Sequence, residues 1–366
     1  MSHTIVVGAG YAGVAAANRL AARGNRVSLV TTYPYFVERI RLHRVAADLR
    51  EHARVPLVEL IHPKVSIVID PATRIDTETP DRVSVELASG RVLHADFLIY
   101  AVGSGEPRAT GAHQITNEAQ ALAFRDELRG RPDAPVTVIG AGLTGVELAA
   151  VLAMSGRTVE VITSSSMDAT ASDRAHLGRL SRLGVTVRTG ERADLKTIGA
   201  DRTRVVVETA GFSVPTLAAD SGLPTTADGR LVIDATLRVP GHAAIFGAGD
   251  AVCIDDERTT HLRPACATAL PMGSHAANIV AAVDDGRAPD RFVHGYVMQF
   301  VDYGGRSGRA QLVRPDDSER RFAVGGWLGG VIKEAICRMT LVWMRGERRG
   351  RSVPRYPEPA PVPAEV

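Results

Sequence analysis

Gly8, Gly10 and Gly13 follow an apolar run at residues 5–7, and Gly140, Gly142 and Gly145 follow a second run at residues 136–139. Each trio has GxGxxG spacing and leads into a stretch that reads as helix, residues 14–22 and 146–154. Three glycines between a strand and a helix suit the binding of a diphosphate. The first permits the tight turn, the second lets backbone approach the phosphates, and the third lets helix pack on strand. The helix N-terminus adds unpaired N–H groups and a positive dipole end. One such fingerprint is a weak signal. Two in one chain imply two dinucleotides, and two dinucleotides imply electrons passing between them.

Other residues suit the same chemistry. Asp250 follows Gly247 and Gly249 at the end of a strand-like run, where a carboxylate can accept hydrogen bonds from a polyol chain or serve as a turn residue. Ala101 and Gly103 end the run at 97–101, where small residues admit a cofactor or make a plain turn. The second strand of the first unit, residues 26–31, ends in Thr31 and Thr32, where a ribose-binding carboxylate is usual; hydroxyls bind ribose less strongly. Its counterpart, residues 158–163, ends in Thr163, Ser164, Ser165 and Ser166, with neither an acid for NADH nor an arginine for a 2′-phosphate. NADH and NADPH therefore both stay open. Arg41, in a helical stretch at 37–49, is either a flavin or phosphate contact or a solvated or paired helix charge.

Bulk properties agree with an ordinary globular chain. Its 366 residues suffice for two or three domains; 45% are hydrophobic and 23% charged. A net charge of +2 gives no reason to expect a nucleic-acid partner. Cys253, Cys266 and Cys337 form no CxxC and no close pair, so a disulfide framework is not expected and a reducing compartment is. No metal site is expected. The first strand begins almost at once, leaving no room for a signal peptide, and no uninterrupted apolar run approaches the roughly 20 residues of a spanning helix. The expectation is a cytoplasmic protein.

Further elements follow in order. Residues 33–36 read as a loop. Residues 65–69, 82–87, 92–93 and 97–101 read as strands forming a β-meander that returns to the sheet, with Asp81 and Ser89-Gly90 at its turns. Residues 105–111 read as a connection, 117–128 as an amphipathic helix, 175–183 as helix, and 185–188 and 204–209 as strands, with Gly211 just beyond. Between Arg188 and Arg204 there is little room for a second meander. Residues 231–233 and 244–250 are strand-like, and 271–283 are helical. Residues 296–301 and 309–313 read as strands. Apolar side chains at 328, 331, 332, 335, 336, 339 and 342 give one face of a helix, and Arg345, Arg348, Arg349 and Arg351 follow. A basic amphipathic helix lies on an anionic membrane, packs on its own protein or forms a dimer contact. The Pro-rich residues 354–366 read as a disordered tail.

The segments VVGAGYAGVAAA, FVERIRLH, LIYAVG, VTVIGAGLTGVELA, VVVETAGF, IFGAGDA and RPACATALPMGSHAANI together resemble the two-dinucleotide-domain flavoprotein family, in its type II NADH dehydrogenase-like branch. The resemblance covers residues 4–283 well and the rest more loosely. It implies an α/β fold with two Rossmann-like dinucleotide-binding domains, a β-meander and a small C-terminal α+β segment. The domains would be 1–108 and 231–290 for FAD, 109–230 for NAD(P)H, and 291–353 with the amphipathic helix. By the same resemblance Gly8, Gly10, Tyr11, Ala12 and Gly13 hold the FAD diphosphate and lie beneath the flavin, with Tyr11 and Glu147 as the catalytic candidates. Thr31, Thr32 and Arg41 complete that side, and Ala101 and Gly103 line the adenosine or phosphates. Gly249 and Asp250 bind ribityl and phosphate, and Leu270 and Pro271 approach the isoalloxazine. Gly140, Gly142, Leu143, Gly145, Thr163, Ser164 and Gly211 hold NAD(P)H. Glu147, read as lying in the first turn of its helix, sits near flavin and nicotinamide and manages a proton, or else compensates the helix dipole.

The implied reaction is hydride transfer from NAD(P)H to flavin N5, then electron transfer to an acceptor such as a quinone under the C-terminal helix. Three departures bear on it. Ala267 and Met272 stand where quinone-reducing members carry Gln, neither ribose position is acidic, and the Cys patterns of disulfide-reducing and sulfide-oxidising relatives are missing. A soluble enzyme passing electrons to a small metabolite or protein carrier is the alternative, and a redox-sensing flavoprotein without turnover is a third. Peripheral membrane contact and a homodimer are the partner expectations.

Overall fold

The first fingerprint strand, His3–Val7, lies at the centre of a five-stranded parallel sheet in the order Ile245–Gly247, Phe97–Tyr100, His3–Val7, Arg26–Thr31, Val65–Ile69. Val6 pairs with Leu29 on one side and Ile99 on the other. This central position explains its unbroken apolar run, since a parallel strand is covered on both faces. The structure is a computed structural model and describes residues 2–79, 82–105, 111–351 and 357–358. Asp81, most of the 105–111 connection and most of the Pro-rich 354–366 lie outside the described residues.

The second fingerprint strand repeats the arrangement. Val136–Ile139 is central in a parallel sheet ordered His113–Gln114, Val205–Glu208, Val136–Ile139, Val159–Ile162, Thr186–Arg188. The fold is therefore α/β with two Rossmann-like units, as the fingerprints imply. Helix Glu118–Gly130 starts at Asn117, whose side chain accepts from the Gln120 N–H. Helix Ala171–Arg182 starts at a capping box of Thr170 and Asp173. Helix Leu195–Ala200 occupies the short segment that lacked room for a second meander.

Several boundaries differ from expectation. Residues 33–36 are not all loop: Tyr35–Val37 pairs antiparallel with Arg54–Pro56. The 37–49 helix shrinks to a 3-10 turn, Arg39–Arg41, and helix Leu42–Ala46, because Val37 is taken by that hairpin. The meander gains a first strand, Ala72–Thr79, with Arg82–Leu87 and Val92–Ala95. Helix Cys266–Asp284 starts five residues before Pro271 and carries it. This helix is long and apolar enough to cross a membrane by length and composition, but most of it is buried in the protein.

The C-terminal part is a three-stranded antiparallel sheet, Met298–Asp302, Gly308–Val313 and Glu319–Gly325, followed by helix Gly326–Arg348. Strand Glu319–Gly325 went unread because its sequence is charged and mostly exposed. Polar side chains fix the helix to the body. Arg19, on the first fingerprint helix, donates to both Glu347 oxygens at 2.9 and 2.5 Å, and Ser274 adds a hydrogen bond at 3.0 Å. The Asn18 amide donates to the Met344 and Leu60 carbonyls.

Buried histidines make stability depend on pH. His176 Nδ1 lies 2.6 Å from Tyr303 Oη, joining the second unit to the C-terminal sheet. Burial pulls His176 down to about 4, and burial does the same to His294. Both fall below the ordinary 6.5, so between pH 6.5 and 4 the unfolded chain binds more protons than the folded one. Their stabilising contribution, on the order of 3 kcal/mol each, is present above pH 6.5 and lost as pH falls towards 4. The urea midpoint should therefore drop between pH 7 and 4.5, and His176→Gln should flatten that slope.

Candidate active site

Both fingerprint helices begin without help from side chains. Helix Tyr11–Ala22 has Gly10 at its N-cap, and helix Leu143–Met154 has Gly142; neither has a side-chain cap or an acidic residue in its first turn. Their first N–H groups thus face outward with the positive dipole end, as an anion requires. The glycines divide into two kinds. A Cβ on Gly13 would lie 1.8 Å from the Gly8 oxygen, and one on Gly145 would lie 2.0 Å from the Gly140 oxygen, so these close the turn onto the helix. At Gly10 and Gly142 a Cβ would meet nothing within 4 Å. The bare space lies where a diphosphate must come, so the residues present fit FAD at one cradle and NAD(P)H at the other.

A cavity of about 590 Å³ joins the two cradles. Gly10, Tyr11 and Ala12 line one side, and Leu143, Thr144 and Glu147 the other. Ala101, Gly103, Gly249, Asp250, Leu270 and Gly211 also line it. Gly8, Gly13, Gly140 and Gly145 sit behind the wall as packing residues. Thr31, Thr32, Thr163 and Ser164 lie at strand ends outside the cavity lining. Pro271 faces a separate small pocket with Arg19 and Ser274 instead. Arg41 does not line the cavity either: it donates to both Glu334 oxygens, at 2.6 and 3.0 Å. With Arg41 foremost, that contact holds Glu334 down to about 2.

Arg39, which the sequence reading passed over, lines the cavity. Its Nη1 donates to the Ser104 carbonyl and hydroxyl oxygens at 2.9 Å each, and Ser104 Oγ donates to Asp250 at 2.9 Å. Asp250 is thereby fixed at the end of its strand with its carboxylate facing the cavity. Tyr11 packs edge-on against Phe36 at 4.9 Å, and burial pushes its phenol well above the ordinary range. Tyr11 forms part of the cavity wall with its phenol protonated at neutral pH.

Glu147 is the fifth residue of its helix, not part of the first turn, so it does not compensate the dipole. Its Oε1 is 2.9 Å from Lys333 Nζ on the C-terminal helix and accepts the Asp302 N–H at 2.9 Å. Its Oε2 is 3.5 Å from His43 Nδ1, and His43 Nε2 is 3.1 Å from Asp302 Oδ2. Burial alone would lower the Lys333 ammonium, but Glu147 more than offsets it and the group is held charged. Burial also opposes the charge on Asp302, yet the hydrogen bonds from His43 and Arg44 hold it well below the usual carboxylate range. Lys333, Ile336 and Trp343 continue the cavity wall along the inner face of the C-terminal helix.

Cys266 and Cys337 also line this cavity, which their separation in sequence hid. Burial pushes the Cys266 thiol up to about 11 and raises Cys337 as well, so both stay protonated at neutral pH. Cys266 is distant in sequence from Lys333 and Cys337, and only three-dimensional convergence on one cavity identifies the group.

The family model described as pyridine nucleotide-disulphide oxidoreductase matches residues 2–284. The NADH dehydrogenase-like proteins MT1860 and Rv1812c of Mycobacterium tuberculosis, from two strains, are each 29% identical over 334 residues, covering 75% of this chain and 79% of theirs. Among solved structures, the sulfide:quinone oxidoreductase of Aquifex aeolicus superposes with a TM-score of 0.79 at 19% identity, over 96% of this chain and 93% of that one. NDH2 of Plasmodium falciparum in complex with NADH gives 0.74 at 13% identity, over 96% and 99%. At such identities the structures speak for the fold.

Proposed function

Because the chain belongs to the pyridine nucleotide-disulphide oxidoreductase family, we propose that it is a NAD(P)H dehydrogenase that delivers electrons to a quinone drawn from a membrane surface. It is an FAD-dependent oxidoreductase that uses NAD(P)H; the acceptor, the site residues and the membrane contact are the proposed parts. FAD, when bound, supplies the two-electron chemistry between a hydride donor and the acceptor.

The chain's own residues do the rest. The helix ends at Gly10 and Gly142 hold the two diphosphates, and Asp250, braced by Ser104 and Arg39, holds the polyol. Tyr11, Ala12 and Leu270 exclude water, and Glu147 with Lys333 holds a proton at the cavity wall. In domain terms, residues 1–108 and 231–290 hold FAD, 109–230 hold NAD(P)H, and 291–353 face the acceptor.

The observation that carries the quinone reading is the continuity of the cavity from both cradles to the C-terminal helix. That helix turns polar as well as apolar side chains inward. Lys333, Cys337, Thr340 and Glu347 point inward, while Trp327 is 65% exposed, Leu328 51% and Val342 55%. The apolar stripe expected at 328–342 is thus divided: Ile336 lines the cavity, and Leu328, Val331, Ala335, Met339 and Val342 face outward. Arg338 and Arg345 on the chain's last helix, Arg349 at its end, and Arg320 and Arg321 on the strand before it, are exposed as well. Exposed apolar side chains together with arginines suit an anionic bilayer, and docking there would bring the cavity to the lipid.

Trp327→Glu with Leu328→Glu should therefore reduce binding to anionic vesicles by about 10- to 100-fold and lower turnover with a lipid-soluble quinone, while water-soluble acceptors are still reduced. Binding should weaken with salt. Unchanged vesicle binding, or a dimer in solution that the same substitutions dissociate, would assign the face to a second copy instead. Electron delivery to a soluble carrier is the second reading. It is favoured by Ala267 and Met272, the latter buried with its sulfur accepting the Gly249 N–H at 3.2 Å. Comparing turnover with a membrane quinone and with water-soluble acceptors decides between the two.

A further inference from the structure

His43 ends the segment FVERIRLH and stands where all three parts of the molecule meet. It comes from helix Leu42–Ala46 of the first unit, Glu147 from the second fingerprint helix, and Asp302 and Lys333 from the C-terminal part. It is buried and borders the cavity. Each ring nitrogen faces a carboxylate oxygen, Asp302 at 3.1 Å and Glu147 at 3.5 Å. Only the Asp302 contact is a hydrogen bond; the Glu147 contact is at ion-pair distance, so the ring stands between two carboxylates with one nitrogen towards each.

The charged groups around His43 form a chain from cavity to surface. Lys333 is at the cavity, paired with Glu147. Beyond His43, Asp302 is bound by Arg44 at 2.6 Å, and Arg44 lies 3.6 Å from Glu334. Arg44 and Glu334 are each 29% exposed, so the cluster reaches solvent there. Arg41 closes it between Glu334 and Glu38.

We propose that His43, oriented by Asp302, is the proton reservoir that lets Lys333 act as the acid towards the acceptor; this rests on the quinone reading above. NAD(P)H brings two electrons and one proton as hydride, and a quinone becomes a quinol by taking two of each. One proton must therefore come from solvent. Lys333 does not release its proton while Glu147 is ionised beside it. Transfer from His43 Nδ1 to Glu147 Oε2 neutralises that carboxylate and removes the charge that holds the ammonium. The Lys333 N–H bond then breaks as an O–H bond forms on the acceptor. Neutral Lys333 takes the proton from Glu147; His43, left with its Nε2–H on Asp302, regains a proton at Nδ1 from solvent water reaching the cavity it borders. The His–Asp pair resembles other orienting dyads in logic: the carboxylate fixes the ring so that its free nitrogen faces the proton's destination.

The test uses the FAD-loaded protein with His43→Gln and His43→Ala, a quinone as one acceptor and ferricyanide, which takes electrons without a proton, as the other. Quinone turnover should fall 30- to 300-fold in kcat with little change in KM, and ferricyanide turnover by less than threefold. Added imidazole should restore His43→Ala, with methylated imidazoles restoring it according to their basicity. Thermal midpoints report any folding defect separately. Equal losses with both acceptors, or no rescue by any imidazole in a folded His43→Ala protein, would overturn the role of His43. A wild-type protein that reduces ferricyanide but no quinone would instead overturn the acceptor assignment.

Discussion

Gly10→Asp is expected to give a folded, colourless protein. Gly10 has φ −81° and ψ −166°, open to any residue, and nothing lies within 4 Å of where a Cβ would stand. Asp is also a better N-cap than Gly, so the helix should lose nothing and the fold should hold. The new carboxylate, however, occupies the bare cradle and accepts the N–H groups meant for a diphosphate. Two like charges at about 4 Å repel by about 4 kcal/mol at a surface-like effective dielectric, close to three orders of magnitude in affinity. FAD content after purification, read from visible absorbance, checks it. The partner change Gly142→Asp should spare the colour and abolish reduction by NAD(P)H, because its cradle serves the other dinucleotide. A yellow Gly10→Asp protein with full FAD would place the flavin elsewhere.

The second large effect concerns Lys333 and Glu147. Glu147 is buried and the Lys333 side chain is only 11% exposed, and each compensates the other at 2.9 Å. Lys333→Met strands a carboxylate and Glu147→Gln strands an ammonium, and each single change should cost about 3–5 kcal/mol of stability. The double change strands neither charge. It should recover most of that loss, a coupling of at least about 2 kcal/mol in a double-mutant cycle of urea denaturation. Turnover should not recover. With the acid removed, quinone reduction should stay down by about 100-fold or more in all three variants. Stability and turnover returning together in the double variant would make the pair a structural clasp without a part in the chemistry.

The two sheets could be read from the chain because their central strands are apolar on both faces and their turns carry glycine trios with no other physical reason to recur. The same local rules failed where the decisive contacts are distant. Arg41 is open to a cofactor contact or a paired charge from its neighbours alone, and Glu334, nearly three hundred residues on, makes it a paired charge. Glu147 is open to a place beside the cofactors or a dipole role; its fifth position in the helix removes the second, and Lys333 is a partner that no neighbour in sequence announces. Arg39, next to Arg41 in the same turn, is the one that borders the cavity. The C-terminal helix showed a clear apolar period, but period does not say which face turns inward. Here the polar side chains do, since Glu347 finds Arg19 and Lys333 finds Glu147.

The central claim is that one cavity holds a flavin against a reduced nicotinamide. Anaerobic titration of the purified protein with NADH, and separately with NADPH, tests it directly. The account predicts that one equivalent of at least one nucleotide bleaches the bound flavin, and that a quinone then restores the colour. A protein that binds FAD fully and keeps its colour in excess of both nucleotides would contradict it.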